Sequence, residues 1–130
     1  MRLDNTAQGL YPIAPTPFLP DGRIDYDSID GLTDFYLRAG ATGLTVLGIM
    51  GEAPKLEQSE AIAVATRFIQ RAPGIPVIVG VSSPGFAAMT SLTRAAMDAG
   101  AAGVMIAPPP ALRTDDQIVT YFKQAEEAIG

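Results

Sequence analysis

The feature that most constrains this chain is a short module that occurs twice, once at residues 39–47 (AGATGLTVL) and again at residues 99–107 (AGAAGVMIA). Each copy places Ala-Gly at the end of an amphipathic stretch, where glycine can adopt the left-handed conformation that stops a helix. A second glycine then opens a short apolar run, so the module predicts a helix, a stop and a buried strand. The distance between the copies leaves room for one more helix and strand, which indicates a repeating unit of about 30 residues, as in parallel α/β folds.

Composition narrows the function classes. The chain has 130 residues, of which 48% are hydrophobic, so one domain with a core is expected. Nine basic residues against fourteen acidic ones, a net charge of -5, argue against nucleic acid as a partner. The sequence has no Cys and no His, which excludes disulfides and thiol chemistry and removes the commonest metal ligand and general base. We therefore expect no metal and no cofactor.

Hydropathy points away from membranes. The first eight residues carry charges without an apolar run, and glycine, proline or charged residues interrupt every later apolar segment before it reaches 18 residues. These patterns predict no membrane partner and a cytoplasmic location.

The chain divides into four predicted strand and helix pairs. The predicted strands are the apolar runs at residues 10–14, 43–47, 75–81 and 103–107, and the predicted helices cover about 25–39, 58–71, 83–99 and 114 onward. Asp25, Ser83 and Thr114 are the expected N-caps of the first, third and fourth helices. Four right-handed βα units fit either a small open sheet or half of an eightfold barrel, and length does not decide between these two architectures.

Three ordered motifs decide it. They are Ala-Pro-Thr-Pro-Phe at residues 14–18 with Asp-Gly-Arg-Ile-Asp at 21–25, Gly-Ile-Met-Gly-Glu at 48–52, and Pro-Val-Ile-Val-Gly-Val at 76–81. In order and spacing the chain resembles the dihydrodipicolinate synthase and N-acetylneuraminate lyase family, from about Gly9 to Ile129. The resemblance implies an α/β fold of parallel βα units, the N-terminal half of a TIM (β/α)8 barrel, in one domain over residues 1–130 that stops before the fifth strand.

The resemblance also implies a chemistry. Members of this family form a Schiff base between a strand 6 lysine and pyruvate or another 2-oxo acid, then make or break a carbon–carbon bond. Lys55 and Lys123 do not match the position of that lysine, and the family's strand 5 tyrosine has no counterpart before Gly130. We therefore expect no catalytic residue in this chain, no activity of the 130 residues alone, a small 2-oxo acid as the substrate of the whole enzyme, and a homo-oligomer.

The expected substrate-binding residues are Thr16, Gly48, Ile49, Met50, Gly51 and Glu52. In the family the loop after strand 2 has two hydroxyl residues between its glycines, and these hydroxyls help to hold the carboxylate of the 2-oxo acid. Here Ile49 and Met50 replace them, so an anion would depend on backbone N–H groups, which Gly48 and Gly51 would allow to converge. The family's tyrosines after strand 4 are replaced by Pro109 and Pro110, and a divergent substrate is expected.

Several alternatives stay open at this stage. Glu52 is either part of the pocket or a solvated or helix-capping carboxylate, and Thr16 either faces the pocket or satisfies the backbone of a proline-rich loop. Ser82 and Ser83 are expected to cap rather than to act as nucleophiles, because the chain has no His to activate them. The alternative function for the whole chain is a non-catalytic half-barrel that binds a small anion or serves in assembly.

Overall fold

Strands and helices alternate along the chain. The computed structural model describes residues 2–130. Its helices are α1 (Tyr26–Arg38), α2 (Gln58–Arg71), α3 (Phe86–Asp98) and α4 (Asp115–Ile129), its strands are β1 (Leu44–Val46), β2 (Val77–Gly80) and β3 (Gly103–Met105), and a 3₁₀ turn covers Ala53–Lys55. The strands form one parallel sheet in the order β1-β2-β3. The predicted parallel α/β architecture is confirmed.

The repeated module has the predicted conformation in both copies. Gly40 and Gly100 are left-handed, with φ of 86° and 103°. In each copy the glycine N–H donates to the carbonyl three residues back, and the next N–H donates to the carbonyl five residues back. These two hydrogen bonds end α1 and α3, and the chain then turns into β1 and β3.

Two of the three predicted N-caps are correct. Asp25 accepts from the backbone N–H of Ser28, and Thr114 forms a reciprocal capping box with Gln117. The prediction of Ser83 as an N-cap is wrong, because α3 begins at Phe86 with Gly85 as its cap. The chain remains beside β3 for longer than predicted: the Val81 N–H donates to the Met105 carbonyl at 3.0 Å, and the Ser82 hydroxyl accepts from the Ala107 N–H at 2.9 Å.

The first predicted strand is shorter than expected. Residues 10–14 lie parallel to β1 but make only the single bridge between Ile13 and Thr45. The Ala14 N–H donates to the Thr45 carbonyl at 2.9 Å, and the Thr45 N–H donates to the Pro12 carbonyl at 3.0 Å. Because Pro12 and Pro15 have no N–H, this segment cannot supply a regular ladder, so the described sheet has three strands rather than four.

The two faces of the sheet differ in burial. The helices cover the face that carries Leu44, Val46 and Val79, all with no exposed surface. Near the carboxyl end of the sheet, Ile13 and Met105 remain 44% and 42% exposed. At the carboxyl end of the sheet, exposed apolar side chains therefore lie beside the loops that follow the strands.

Candidate functional site

The site predicted from the sequence lies at the carboxyl ends of the strands. Residues 47–56 connect β1 to α2, and residues 15–18 follow the segment that is bridged to β1. In parallel α/β proteins this edge carries the ligand-binding loops.

The turn after β1 resembles the first turn of a helix. The Gly51 N–H donates to the Gly48 carbonyl at 3.0 Å, and the Glu52 N–H donates to the Ile49 carbonyl at 3.1 Å. Such a turn leaves its first N–H groups without partners. Across residues 2–130, no backbone or side-chain acceptor receives the N–H of Ile49 or Met50. The turn therefore leaves these two N–H groups available as donors, whereas the N–H of Gly51 is used within the turn.

Two residues with left-handed backbone enclose this turn. Leu47 has φ 57° and Glu52 has φ 52°, and these are the positive-φ residues other than glycine in the described chain. Such conformations cost about 1–3 kcal/mol each and concentrate at functional sites. Sequence reasoning missed both, since neither leucine nor glutamate signals a positive φ.

Thr16 fastens the turn to the N-terminal segment. Its side chain is buried, and its hydroxyl donates to the Gly51 carbonyl at 2.6 Å. The Thr16 hydroxyl therefore donates to the turn after β1 rather than to the backbone of its own proline-rich loop, and its role in a pocket stays a prediction. This hydrogen bond joins the turn after β1 to the proline-rich segment at residues 14–18.

Two glycines allow the backbone segments to approach closely. A Cβ on Gly80, the last residue of β2, would lie 2.2 Å from the carbonyl oxygen of Leu47, and a Cβ on Gly51 would lie 2.9 Å from the Leu47 nitrogen. Gly80 was not singled out from the sequence, although a glycine within an apolar run is a signal of close backbone approach.

Glu52 is paired within its own loop. Its carboxylate accepts from the Lys55 ammonium, and its carbonyl accepts from the Lys55 N–H at 2.9 Å. The Lys55 side chain is 72% exposed. Glu52 therefore orders the 3₁₀ turn, and Lys55 is a solvated, ion-paired lysine.

Apolar side chains border the free N–H groups. Ile49 is 93% exposed and Met50 is 57% exposed. A Cβ on the neighbouring Gly48 would lie 3.5 Å from Ile13 and 3.8 Å from Met105, so these two side chains lie beside the start of the turn. We call Ile13, Ile49, Met50 and Met105 the apolar rim.

Other candidate residues lie outside this constellation. Tyr121 is buried and stacks on Phe86 with ring centroids 5.8 Å apart, and burial raises the pKa of its phenol. Tyr121 thus belongs to the hydrophobic core. Arg113 and Lys123 are exposed. Between residues 2 and 130 no three acidic, His or Cys side chains group into a metal site, and no helix has the length and hydropathy to cross a membrane.

Comparison with known proteins identifies the relatives. The model of the dihydrodipicolinate synthetase family matches residues 6–128. A 4-hydroxy-tetrahydrodipicolinate synthase from Sorangium cellulosum is 41% identical over 103 residues, which are 78% of this chain and 34% of that protein.

Solved structures agree. The crystal structure of a dihydrodipicolinate synthase from Rhodopseudomonas palustris is 68% identical, with a TM-score of 0.96, and covers 100% of this chain and 43% of its own. A prophage protein of the dihydrodipicolinic acid synthase family from E. coli K12, in complex with pyruvate, is 29% identical with a TM-score of 0.83 over 92% of this chain and 41% of its own.

This chain thus spans between 34% and 43% of these relatives' length. Their likeness confirms the barrel assignment: the parallel βα units are those of the N-terminal half of a TIM (β/α)8 barrel. The chain belongs to the dihydrodipicolinate synthetase family, whose curated relatives include 4-hydroxy-tetrahydrodipicolinate synthases.

Proposed function

We propose that this chain is the N-terminal half of a Schiff-base aldolase or lyase that acts on pyruvate or another 2-oxo acid. The observation that carries the proposal is the turn after β1, which presents the unpaired N–H groups of Ile49 and Met50 at the carboxyl end of the sheet. A family relative in complex with pyruvate supports the substrate class.

The proposed reaction begins with a lysine amine, which adds to the keto carbon and expels water to give an iminium. In the cleavage direction, a 4-hydroxy-2-oxo acid loses the proton of its hydroxyl group and the bond between C3 and C4 breaks. The bonding electron pair moves toward the iminium nitrogen, so the products are an aldehyde and an enamine. Protonation and hydrolysis of the enamine return the amine and release the shortened 2-oxo acid, and the reverse sequence makes the bond.

We place the reacting lysine outside residues 1–130. An imine-forming lysine needs a desolvated amine with a lowered pKa. Lys55 is exposed and paired with Glu52, and Lys123 is exposed on α4. Neither lysine is desolvated by burial, so the 130 residues alone are proposed to be inactive.

In this proposal the turn binds the carboxylate of the 2-oxo acid. Two unpaired N–H groups can donate charge-assisted bonds of about 1.5–3 kcal/mol each to a carboxylate. The hydroxyls that the family has at these positions are absent, so the backbone supplies the donors. This arrangement keeps a carboxylate site while it changes the side chains around it.

Ile49→Pro tests the carboxylate site. Ile49 is the second residue of the turn from Gly48 to Gly51, a position that accepts proline, so the variant keeps the turn and removes one N–H. We expect the Kd of pyruvate, measured by titration calorimetry on the product of the complete reading frame, to rise about tenfold or more. Ile49→Val, which retains the N–H, is the matched control. Equal affinity of the two variants would place the carboxylate elsewhere.

We extend the proposal to assembly and location. Within the described residues β3 pairs only with β2, so its other edge has unpaired backbone groups that favour association. We expect the isolated 130-residue chain to form dimers or larger species in sedimentation, with an interface above roughly 2,000 Å². A folded monomer at micromolar concentration would contradict this expectation.

We also propose a cytoplasmic location for the protein. Cell fractionation checks this proposal.

A further inference from the structure

The apolar rim contains two consecutive large side chains that residues 2–130 leave exposed. Single exposed apolar residues are ordinary on protein surfaces. Ile49 and Met50 differ because they lie side by side, 93% and 57% exposed, on the residues whose N–H groups have no acceptor in residues 2–130. One short turn therefore offers donors for an anion and apolar surface for whatever is attached to that anion.

The backbone holds these side chains in place. Left-handed residues enclose the turn, Leu47 before it and Glu52 after it, and the Thr16 hydroxyl bonds to the carbonyl of Gly51. The backbone of Ile49 and Met50 is thus positioned by the turn, without burial of their side chains. An apolar group bound against them would remove their surface from water, and it would meet a site that is already ordered.

We infer that Ile49 and Met50 are specificity-determining residues that favour 2-oxo acids with an apolar carbon chain beyond the keto group over pyruvate. The inference rests on the proposed function, because it takes the turn as the carboxylate site. Each methylene buried against the apolar rim is expected to lower Kd about fourfold. A pocket with hydroxyl residues at these two positions would give no such gain.

A ladder of ligands measures this preference. The Kd values of pyruvate, 2-oxobutanoate and 2-oxopentanoate are measured by titration calorimetry on the product of the complete reading frame. We expect a fall of about fourfold at each step and about fifteenfold overall. In the double variant Ile49→Thr with Met50→Thr we expect the ladder to flatten to within about twofold, while pyruvate binds more tightly through the restored hydroxyls.

Phe35→Thr is the matched control. Phe35 is 56% exposed on α1, close to the helix end that leads into the start of β1, so it lies toward the opposite end of the sheet from the turn. This variant loses a similar exposed apolar side chain and should keep the fourfold steps. Circular dichroism of the variants checks that each of them folds.

The possible outcomes distinguish a failure of the specificity inference from a failure of the proposed function. If the wild type binds pyruvate but the Kd stays level or rises as the acid lengthens, the specificity inference is overturned. The proposed function then still stands. If the Kd still falls about fourfold at each step in the double variant, the inference is also overturned, because another surface then binds the apolar chain. Failure of all three acids to bind would overturn the proposed function and this inference together.

Discussion

Replacement of Gly80 by alanine is expected to destabilise the fold more than any ordinary glycine-to-alanine change. The new Cβ would lie 2.2 Å from the carbonyl oxygen of Leu47 and 2.8 Å from its carbonyl carbon. Relief requires the two backbone segments to separate by about 1 Å, because contacts between carbon and oxygen normally lie near 3.3 Å or beyond. No side-chain rotation can help, since the neighbour is backbone.

The magnitude follows from the position of Leu47. This residue is buried and already left-handed at φ 57°, so its movement disturbs both the core and the turn. Overpacking of a well-packed interior costs about 1–3 kcal/mol, and a clash against backbone belongs at the upper end of that range. We therefore expect Gly80→Ala to lower the free energy of unfolding by about 3 kcal/mol.

Denaturant unfolding of the product of the complete reading frame measures this loss, with Gly31→Ala as the control. Gly31 lies within α1, and a Cβ there would meet nothing within 4 Å. Alanine at this helical position should stabilise the protein by about 0.5–1 kcal/mol. A loss below about 1 kcal/mol for Gly80→Ala would refute the close approach of β2 to Leu47 on which the site geometry depends.

Two further predictions concern the residues that fix the site and the first helix. Thr16→Val should cost about 1–3 kcal/mol in denaturant unfolding, because it leaves the Gly51 carbonyl without its buried donor. The equally buried Thr33→Val should cost less, since that hydroxyl only donates to a carbonyl of its own helix, and equal losses would contradict the role given to Thr16. Hydrogen bonds from the Ser28 side chain and backbone lower the pKa of Asp25 below 3.8, so this cap should stabilise the fold above that pH and cease to do so as pH falls through the lowered pKa. The stability difference between the wild type and Asp25→Ala should shrink over this acidic range, and a pH-independent difference would contradict the ionised cap.

Local signals predicted most of the fold. The two Ala-Gly stops have the left-handed glycines that the repeated module requires, and the caps at Asp25 and Thr114 make their bonds within a few residues. Such features depend on neighbours in sequence, so the sequence is sufficient to locate them.

The errors arose where partners are distant in sequence. Residues 10–14 read as a strand, but their pairing with Thr45 is limited by prolines that remove ladder donors. Ser83 read as an N-cap, yet Val81 and Ser82 bond to residues at the end of β3 and delay the helix until Phe86. Tertiary hydrogen bonds prevailed over local preference at Ser83, whereas the absence of proline N–H groups limited the pairing of residues 10–14.

For the candidate site, the residue types were predictable and the backbone was not. The sequence located the turn at residues 48–52 and its loss of hydroxyls. It did not indicate that Leu47 and Glu52 are left-handed, or that the free N–H groups are those of Ile49 and Met50. The residues that contact this turn, Thr16 and Gly80, are remote along the chain.

Reductive trapping with pyruvate and borohydride tests the central claim most directly. The product of the complete reading frame is incubated with both reagents, digested and mapped by mass spectrometry, beside the isolated 130-residue chain. We expect one stoichiometric adduct on a lysine outside residues 1–130 and no specific adduct on the isolated chain. An adduct on Lys55 or Lys123, or the absence of any adduct on the complete product, would contradict the assignment of this chain as the carboxylate-binding half of a Schiff-base aldolase.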